Sequence, residues 1–157
     1  MSTIETLEYS QITVVVPCCN DGQYLHENIK SLQEQTFKKY EVVIINDGST
    51  DPITINILKH LQETFPRLTI RIFSQSNQGL SAARNRGVRE AQAEWVMLLD
   101  ADDKLAPEYL ERTMALAKSE DLDYVTTDIK YFGIYNYITR SNINLYDQLF
   151  SNRLTTN

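Results

Sequence analysis

Glu41-Val42-Val43-Ile44-Ile45-Asn46-Asp47-Gly48-Ser49-Thr50-Asp51-Pro52 carries three local instructions in succession. Its first five residues are a run that, after Glu41, is apolar and β-branched and does not alternate with polar residues, which is how a strand covered on both faces reads. Asn46 to Thr50 is turn chemistry, with Gly48 free to take a positive φ. Asp51-Pro52 is a helix start, an N-cap carboxylate followed by proline at the first helical position. The apolar stripe Ile57, Leu58, Leu61 and Phe65 continues that helix.

The same unit recurs on either side. Further strands are expected at Ile12–Val16, Leu68–Phe73 and Trp95–Leu99. The first and last of these read as doubly covered, whereas Leu68–Phe73 alternates and suits a strand nearer a sheet edge. Helical stripes lie at Leu25, Ile29 and Leu32, at Leu80, Ala83, Gly87, Val88 and Ala91, and at Leu110, Met114 and Ala117, with Pro107 as a second helix start. A fifth strand is expected at Tyr124–Thr127. The β-α-β-α-β-α-β-α-β order predicts an α/β domain, a parallel sheet with helices on both faces and right-handed crossovers.

After Lys130 the sequence becomes rich in Tyr, Asn and Thr and loses any clean period. Tyr131, Tyr135 and Tyr137 suit a hairpin or a loop, and Leu145–Leu149 a short helix. Residues 1–10 are expected to be extended or disordered, 11–128 to form the α/β domain, and 129–157 to begin a further region that is cut short.

The 157 residues suit one compact domain, and 42% hydrophobic with 23% charged residues excludes wholesale disorder. A net charge of -6 argues against a nucleic-acid binder but leaves room for phosphate held through a cation. The two cysteines, Cys18 and Cys19, are adjacent and make no disulfide framework, so a reducing cytoplasm is expected. The polar start is no signal peptide, and nothing approaches the ~20 apolar residues of a membrane span.

Ligands of open α/β sheets bind outside the carboxyl ends of the strands. Four polar patches follow the four main strands: Pro17 to Gly22, Asn46 to Asp51, Ser74 to Asn85, and Asp100 to Asp103. If the first and fourth strands are neighbours, their crevice is lined by carboxylates, amides and Arg84. Asp100, Asp102 and Asp103 suit a hard divalent cation, which is typically held by one or two carboxylates plus substrate phosphates. An acidic cap and turn before Pro107 is the plainer alternative, but capping needs one aspartate rather than three. Asp47 reads equally as turn or as site. Arg84 reads as a surface ion pair or as a diphosphate contact. His26 and His60 have no metal-ligand spacing.

Taken in order, these patches resemble family-2 glycosyltransferases of the GT-A fold. The family's Pro-x-Tyr-Asn, Asp-Asp-Gly-Ser-x-Asp, Asn-x-Gly-x-x-x-Ala-Arg-Asn-x-Gly and Leu-Asp-x-Asp-Asp are similar to Pro17–Asn20, Asn46–Asp51, Asn77–Gly87 and Leu99–Asp103. The resemblance covers about residues 11 to 128. It implies a Rossmann-like three-layer α/β/α fold with a mainly parallel sheet. It also implies binding of a nucleotide-diphosphate sugar, a UDP-sugar, through Mn or Mg, and inverting transfer to an acceptor hydroxyl on a glycan or lipid-linked acceptor in cell-surface polysaccharide or glycan synthesis. Asp47 would bond the uracil, Asp100 would sit near the ribose or metal, and Asp102 would be the main metal ligand. Arg84 would lie near the nucleotide, and Pro17, Cys19 and Asn20 would flank the base.

Three features depart from the family. Cys19 stands where a tyrosine usually packs on the base, and Asn46 replaces the first aspartate of the second motif. The general base of inverting members comes from a later acidic pair, and Asp147 is the only carboxylate between Lys130 and Asn157, so no catalytic residue is assigned. The chain is therefore expected to be a donor-binding portion, with an apolar surface that favours a homodimer. An interaction module with the same fold is the alternative. A P-loop ATPase would need Gly-x-x-x-x-Gly-Lys-Ser/Thr, a dinucleotide dehydrogenase Gly-x-Gly-x-x-Gly, and a sugar-nucleotide pyrophosphorylase a glycine-rich basic loop. None of these is present.

Overall fold

The structure is a computed structural model that describes residues 10–132 and 136–139. Residues 1–9, Tyr135, the Leu145–Leu149 helix and Asp147 lie outside the described residues. The chain forms two compact units, Met1–Arg112 and Thr113–Asn157.

The first unit runs β1 (Ile12–Cys18), α1 (Gly22–Gln33), β2 (Tyr40–Asp47), α2 (Pro52–Thr64), β3 (Ile70–Gln75), α3 (Leu80–Glu90) and β4 (Trp95–Leu98). The strands are parallel, in the order β3-β2-β1-β4. The chain therefore steps outward from β1 to β3 and then returns to place β4 on the far side of β1. Right-handed crossovers put α1 and α2 on one face and α3 on the other. In accord with this, α1 packs with α2, and α3 lies on β1 and β2.

Successive side chains of a strand point to opposite faces. Val15, Val43 and Ile45 meet Ala83 of α3, with Phe73 packed against them. Val14, Val16, Val42 and Ile44 point the other way and are equally inaccessible. Burial of each such side chain contributes about 1.5–3 kcal/mol, so the two central strands hold the domain together. Small residues set the layer spacing. A Cβ at Gly87 would lie 2.0 Å from Cγ1 of Val15, so only glycine lets α3 approach this closely.

A polar network closes the amino-terminal end of the sheet. Glu41 is fully buried. Its Oε1 accepts from Thr13 Oγ1 at 2.8 Å, Arg71 Nη2 at 3.0 Å and the Gln92 amide at 3.1 Å. Its Oε2 accepts from Arg71 Nε at 3.0 Å. Arg71 also donates to the Glu90 carbonyl, and the Ala93 amide donates to Thr13 Oγ1. This ties β1, β2 and β3 to the chain entering β4.

Several expectations need correction. Trp95–Leu98 is not covered on both faces: Val96 is 38% and Leu98 46% exposed, because β4 is an edge strand among the described residues. A continuous apolar run does not distinguish an edge from a centre. In α3 the buried stripe narrows to Ala83 and Gly87, leaving Leu80 and Val88 exposed, because a helix seated this close on the sheet makes its contact through small residues. Tyr124–Thr127 is irregular rather than a strand.

In the second unit, β5 (Ile129–Lys130) pairs antiparallel with β6 (Ile138–Thr139). The Tyr131 amide donates to the Tyr137 carbonyl at 2.9 Å, and the two rings stack with centroids 4.5 Å apart. The hairpin alternative for this stretch therefore holds. Helix α4 (Tyr109–Ser119) starts two residues after Pro107.

Candidate functional site

The carboxyl ends of β1, β2, β3 and β4 carry the four polar patches to one edge of the sheet. β1 and β4 are hydrogen-bonded neighbours. The order in which strands are added reverses between them, so the crevice there is the topological switch point at which such sheets bind ligands.

The first two loops are laced together. Asn20 adopts the left-handed conformation, φ 61°, which asparagine tolerates better than most residues. Its Oδ1 accepts from the Thr50 amide at 2.8 Å and the Asp51 amide at 2.9 Å, and its own amide donates to Ser49 Oγ at 3.0 Å. Asn46 Oδ1 accepts from the Ser49 amide three residues on at 3.0 Å, a local side-chain bond to the turn that needs no negative charge. Asp51 caps α2 through the Thr54 amide at 2.8 Å, as its sequence context predicts.

Asp47 is the last residue of β2 and is 3% exposed. Its Oδ1 accepts from Gln75 Nε2 at 2.7 Å and the Gln78 amide at 3.0 Å, and its Oδ2 accepts from the Gly79 amide at 2.8 Å. Burial alone would raise its pKa, but the Gln75 side chain and the two amides outweigh it and hold the carboxyl below the ordinary value of 3.8. The turn reading of Asp47 thus holds, as a buried carboxylate that orders the third loop. Gly48 has φ 70°, and a Cβ there would lie 2.5 Å from the Asn77 amide nitrogen, so the second and third loops touch backbone to backbone. Asn77 Nδ2 also donates to Cys19 Sγ at 3.2 Å.

Pro17 is buried within β1, in register with Ile45, and Cys18 beside it is buried. Burial pushes the Cys18 thiol up to about 11. Cys19 and Asn20 are the first residues of this loop to reach solvent.

Arg84 Nη2 donates to both carboxylate oxygens of Asp100, at 2.6 and 2.7 Å. The ion-pair reading of Arg84 therefore holds, with Asp100, two residues past the end of β4, as its partner, and both side chains remain partly exposed. Arg84 Nε is buried with no hydrogen-bond partner among the described residues. The Asp103 amide donates to the Asp100 carbonyl at 3.0 Å, which closes a turn with Ala101 buried and Asp102 exposed. Asp102 makes no hydrogen bond or ion pair among the described residues. The Asp103 residue is exposed, yet its carboxyl is partly shielded from water. That shielding, with the charges of Asp102 and Asp100, pushes it above 3.8 against the pull of Arg84.

Among the described residues no three His, Cys, Asp or Glu side chains converge as a ready-made metal cage. Mn²⁺ or Mg²⁺ needs no such cage when ligand phosphates complete its shell, and an outward aspartate beside a second one supplies the oxygen donors that a hard cation prefers. The residues present therefore fit a cation shared between carboxylate and diphosphate.

The polar face of α1 is the feature that sequence reading missed. Asn28 Nδ2 donates to the carbonyls of Asp100 at 3.0 Å and Asp103 at 2.8 Å. Ser31 Oγ accepts from the Leu105 amide at 3.1 Å. Gln35 Nε2 donates to the Ala106 carbonyl at 2.8 Å, and its Oε1 accepts from the Leu110 amide at 3.0 Å. Asn28 and Ser31 fall at i and i+3 beside the Leu25, Ile29, Leu32 stripe, and Gln35 continues the spacing just past the end of α1, so the helical period marked them as inward polar residues. Their partners lie more than 70 residues away, beyond any local signal.

The model of the family described as "Glycosyl transferase family 2" matches residues 13–156. The chain belongs to this family. Its match to "Uncharacterized glycosyltransferase YibD" of Escherichia coli is 39% identical over 114 residues, covering 73% of this chain and 32% of the relative. S. aureus TarS 1–349, solved in complex with UDP, superposes with a TM-score of 0.64 at 29% identity over 71% of this chain and 33% of that one. The mannosyltransferase PcManGT from Pyrobaculum calidifontis, solved with GDP-Man and Mn²⁺, gives 0.66 at 26% identity, with 80% and 37% covered. The chain thus spans about a third of the length of each of these relatives. Its fold is the mainly parallel, Rossmann-like GT-A arrangement, and no helix among the described residues is long and apolar enough to cross a membrane.

Proposed function

We propose that this chain is the donor-binding part of an inverting glycosyltransferase, holding a UDP-sugar at the switch point through Mn²⁺ or Mg²⁺. The observation that carries this reading is the turn after β4. It presents Asp102 exposed and without a hydrogen-bond or ion-pair partner among the described residues, directly beside the Arg84–Asp100 pair. In this reading Asp102 is the principal metal ligand and Asp100 the second, shared with Arg84. Arg84 faces the diphosphate, its bond to Asp100 fixing the guanidinium in place. Asp47 has three donors already, and a carboxylate has about four acceptor sites, so one remains for the base. Pro17, Cys19 and Asn20 line the base side. A cation bound there would neutralise the diphosphate and stabilise it as a leaving group. The acceptor is a hydroxyl on a glycan or lipid-linked molecule. The relatives solved with UDP, and with GDP-Man and Mn²⁺, support a nucleotide-sugar donor of this kind.

Calorimetric titration of UDP and of GDP with Mn²⁺, and again with EDTA, on wild type and Asp102→Ala tests this. The expected result is UDP binding that requires both Mn²⁺ and Asp102, with affinity falling by more than the roughly 10–100-fold typical of an outer-shell change. Equal affinity in EDTA, or no binding at all, overturns the metal-assisted donor site. Preference for GDP overturns the choice of base.

A further inference from the structure

We propose that Asn28 is a positioning residue that sets the outward presentation of Asp102. The proposal rests on the metal-assisted donor site described above. Asp102 sits in the irregular turn after β4, and its side chain makes no hydrogen bond or ion pair among the described residues. The backbone of that turn is held from the next layer by one side-chain amide, alongside the Arg84–Asp100 ion pair and the buried Ala101. Asn28 Nδ2 bridges the carbonyls of Asp100 and Asp103, the two residues that bracket the turn, while the Asp103 amide closes it onto the Asp100 carbonyl. Two converging carbonyls require an NH₂ group between them. Serine, threonine and aspartate lack two such donors, so the site selects asparagine.

A second observation separates positioning from ordinary packing. Asn28 is 1% exposed, and its Oδ1 is buried without a hydrogen-bond partner among the described residues. An unsatisfied buried acceptor destabilises a fold, and a residue of this helix chosen for packing alone would be apolar, as Leu25, Ile29 and Leu32 are. The structure tolerates the orphan oxygen in order to place the two donors. Further along the same face, Ser31 and Gln35 hold Leu105, Ala106 and Leu110, which anchors the rest of the loop but not the turn itself.

The test uses the full chain and the variants Asn28→Ala and Thr36→Val. Thr36→Val removes the Thr36 hydroxyl bond to Glu111 at the same helix–loop seam and leaves the 100–103 turn untouched. Two quantities are read: amide hydrogen exchange of residues 99–106 without nucleotide or metal, and the Mn²⁺ concentration for half-maximal UDP binding, alongside UDP affinity in EDTA. Asn28→Ala is expected to speed exchange in that segment at least tenfold. It should raise the Mn²⁺ requirement by about 10–100-fold, as loss of an outer-shell partner does, while UDP binding in EDTA stays as weak as in wild type. Thr36→Val should leave both at wild-type values. If Asn28→Ala does not fold, Asn28→Ser, which is too short to bridge both carbonyls, is judged by the same criteria. Wild-type exchange and Mn²⁺ requirement in a folded Asn28 variant overturn the proposal, as does an equal change in Thr36→Val. Wild type that binds UDP without metal overturns the donor-site reading instead, and the exchange data then decide the Asn28 assignment by themselves.

Discussion

Gly87→Ala pits two effects against each other, and the structure gives the sign. In an exposed helix, alanine for glycine adds about 1 kcal/mol of stability. Gly87, however, lies against β1. An added Cβ would fall 2.0 Å from Val15 Cγ1 and 3.1 Å from Val15 Cβ and Cγ2. Carbon atoms prefer about 3.5–4.0 Å, so Val15 would have to move by more than 1 Å. It cannot rotate away, because all three of its side-chain carbons are close and it is enclosed by Val43, Ile45 and Ala83. Overpacking a filled core costs about 1–3 kcal/mol, and this contact sits at the upper end. The net is a loss of about 2 kcal/mol, or a urea midpoint lower by about 1 M at an m-value near 2 kcal/mol/M. Urea unfolding followed by far-UV circular dichroism measures it. A Gly87→Ala chain as stable as wild type refutes the close-approach account. The Val15→Ala background sharpens the test. There the alanine should be less costly by about 2 kcal/mol, since double-mutant coupling isolates the contact.

Glu41→Ala should destabilise the chain by about 3–5 kcal/mol, because it strands the Arg71 guanidinium, the Thr13 hydroxyl and the Gln92 amide around a buried hole; a midpoint within 1 kcal/mol of wild type would show that the network is dispensable. The Asp47 carboxyl is held below 3.8 by its donors, so its stabilising contribution is fully present above that pH and is lost as pH falls through the lower folded value. Asp47→Asn should therefore flatten the acid limb of stability below about pH 4, and an unchanged limb counts against the assignment. Cys18 is 2% exposed with its thiol raised to about 11, so iodoacetamide at pH 8 should label Cys19 well before Cys18. Equal labelling in the native chain, read by peptide mass spectrometry, contradicts the buried thiol.

Much of the fold was legible because burial on both faces leaves a mark in the sequence. Val14 to Val16 and Val42 to Ile45 are apolar without alternation, and both strands are central. The alternation of the third run gave its edge position correctly. Asp51-Pro52 announced the cap of α2 because N-capping is settled by the residues themselves. The errors fall where a neighbour decides. Val96 and Leu98 read as core but line an edge, and Tyr124–Thr127 has strand composition but no strand to pair with among the described residues.

The candidate site divides the same way. Sequence alone determined which residues stand at the strand ends, since a strand must be followed by its own loop, and the order of the four patches determined the family. Only the tertiary structure decided how their charges are used. Asp47 is ringed by Gln75 and two amides, Arg84 is paired to Asp100, and Asp102 is left facing outward. Asn28 shows the limit most clearly. Its helical period marks it as inward-facing, but the carbonyls it bridges come from 72 and 75 residues further along. Hydrogen bonds to backbone carbonyls carry no signature in the partner's side chain, so that contact exists only once β4 has been laid beside β1.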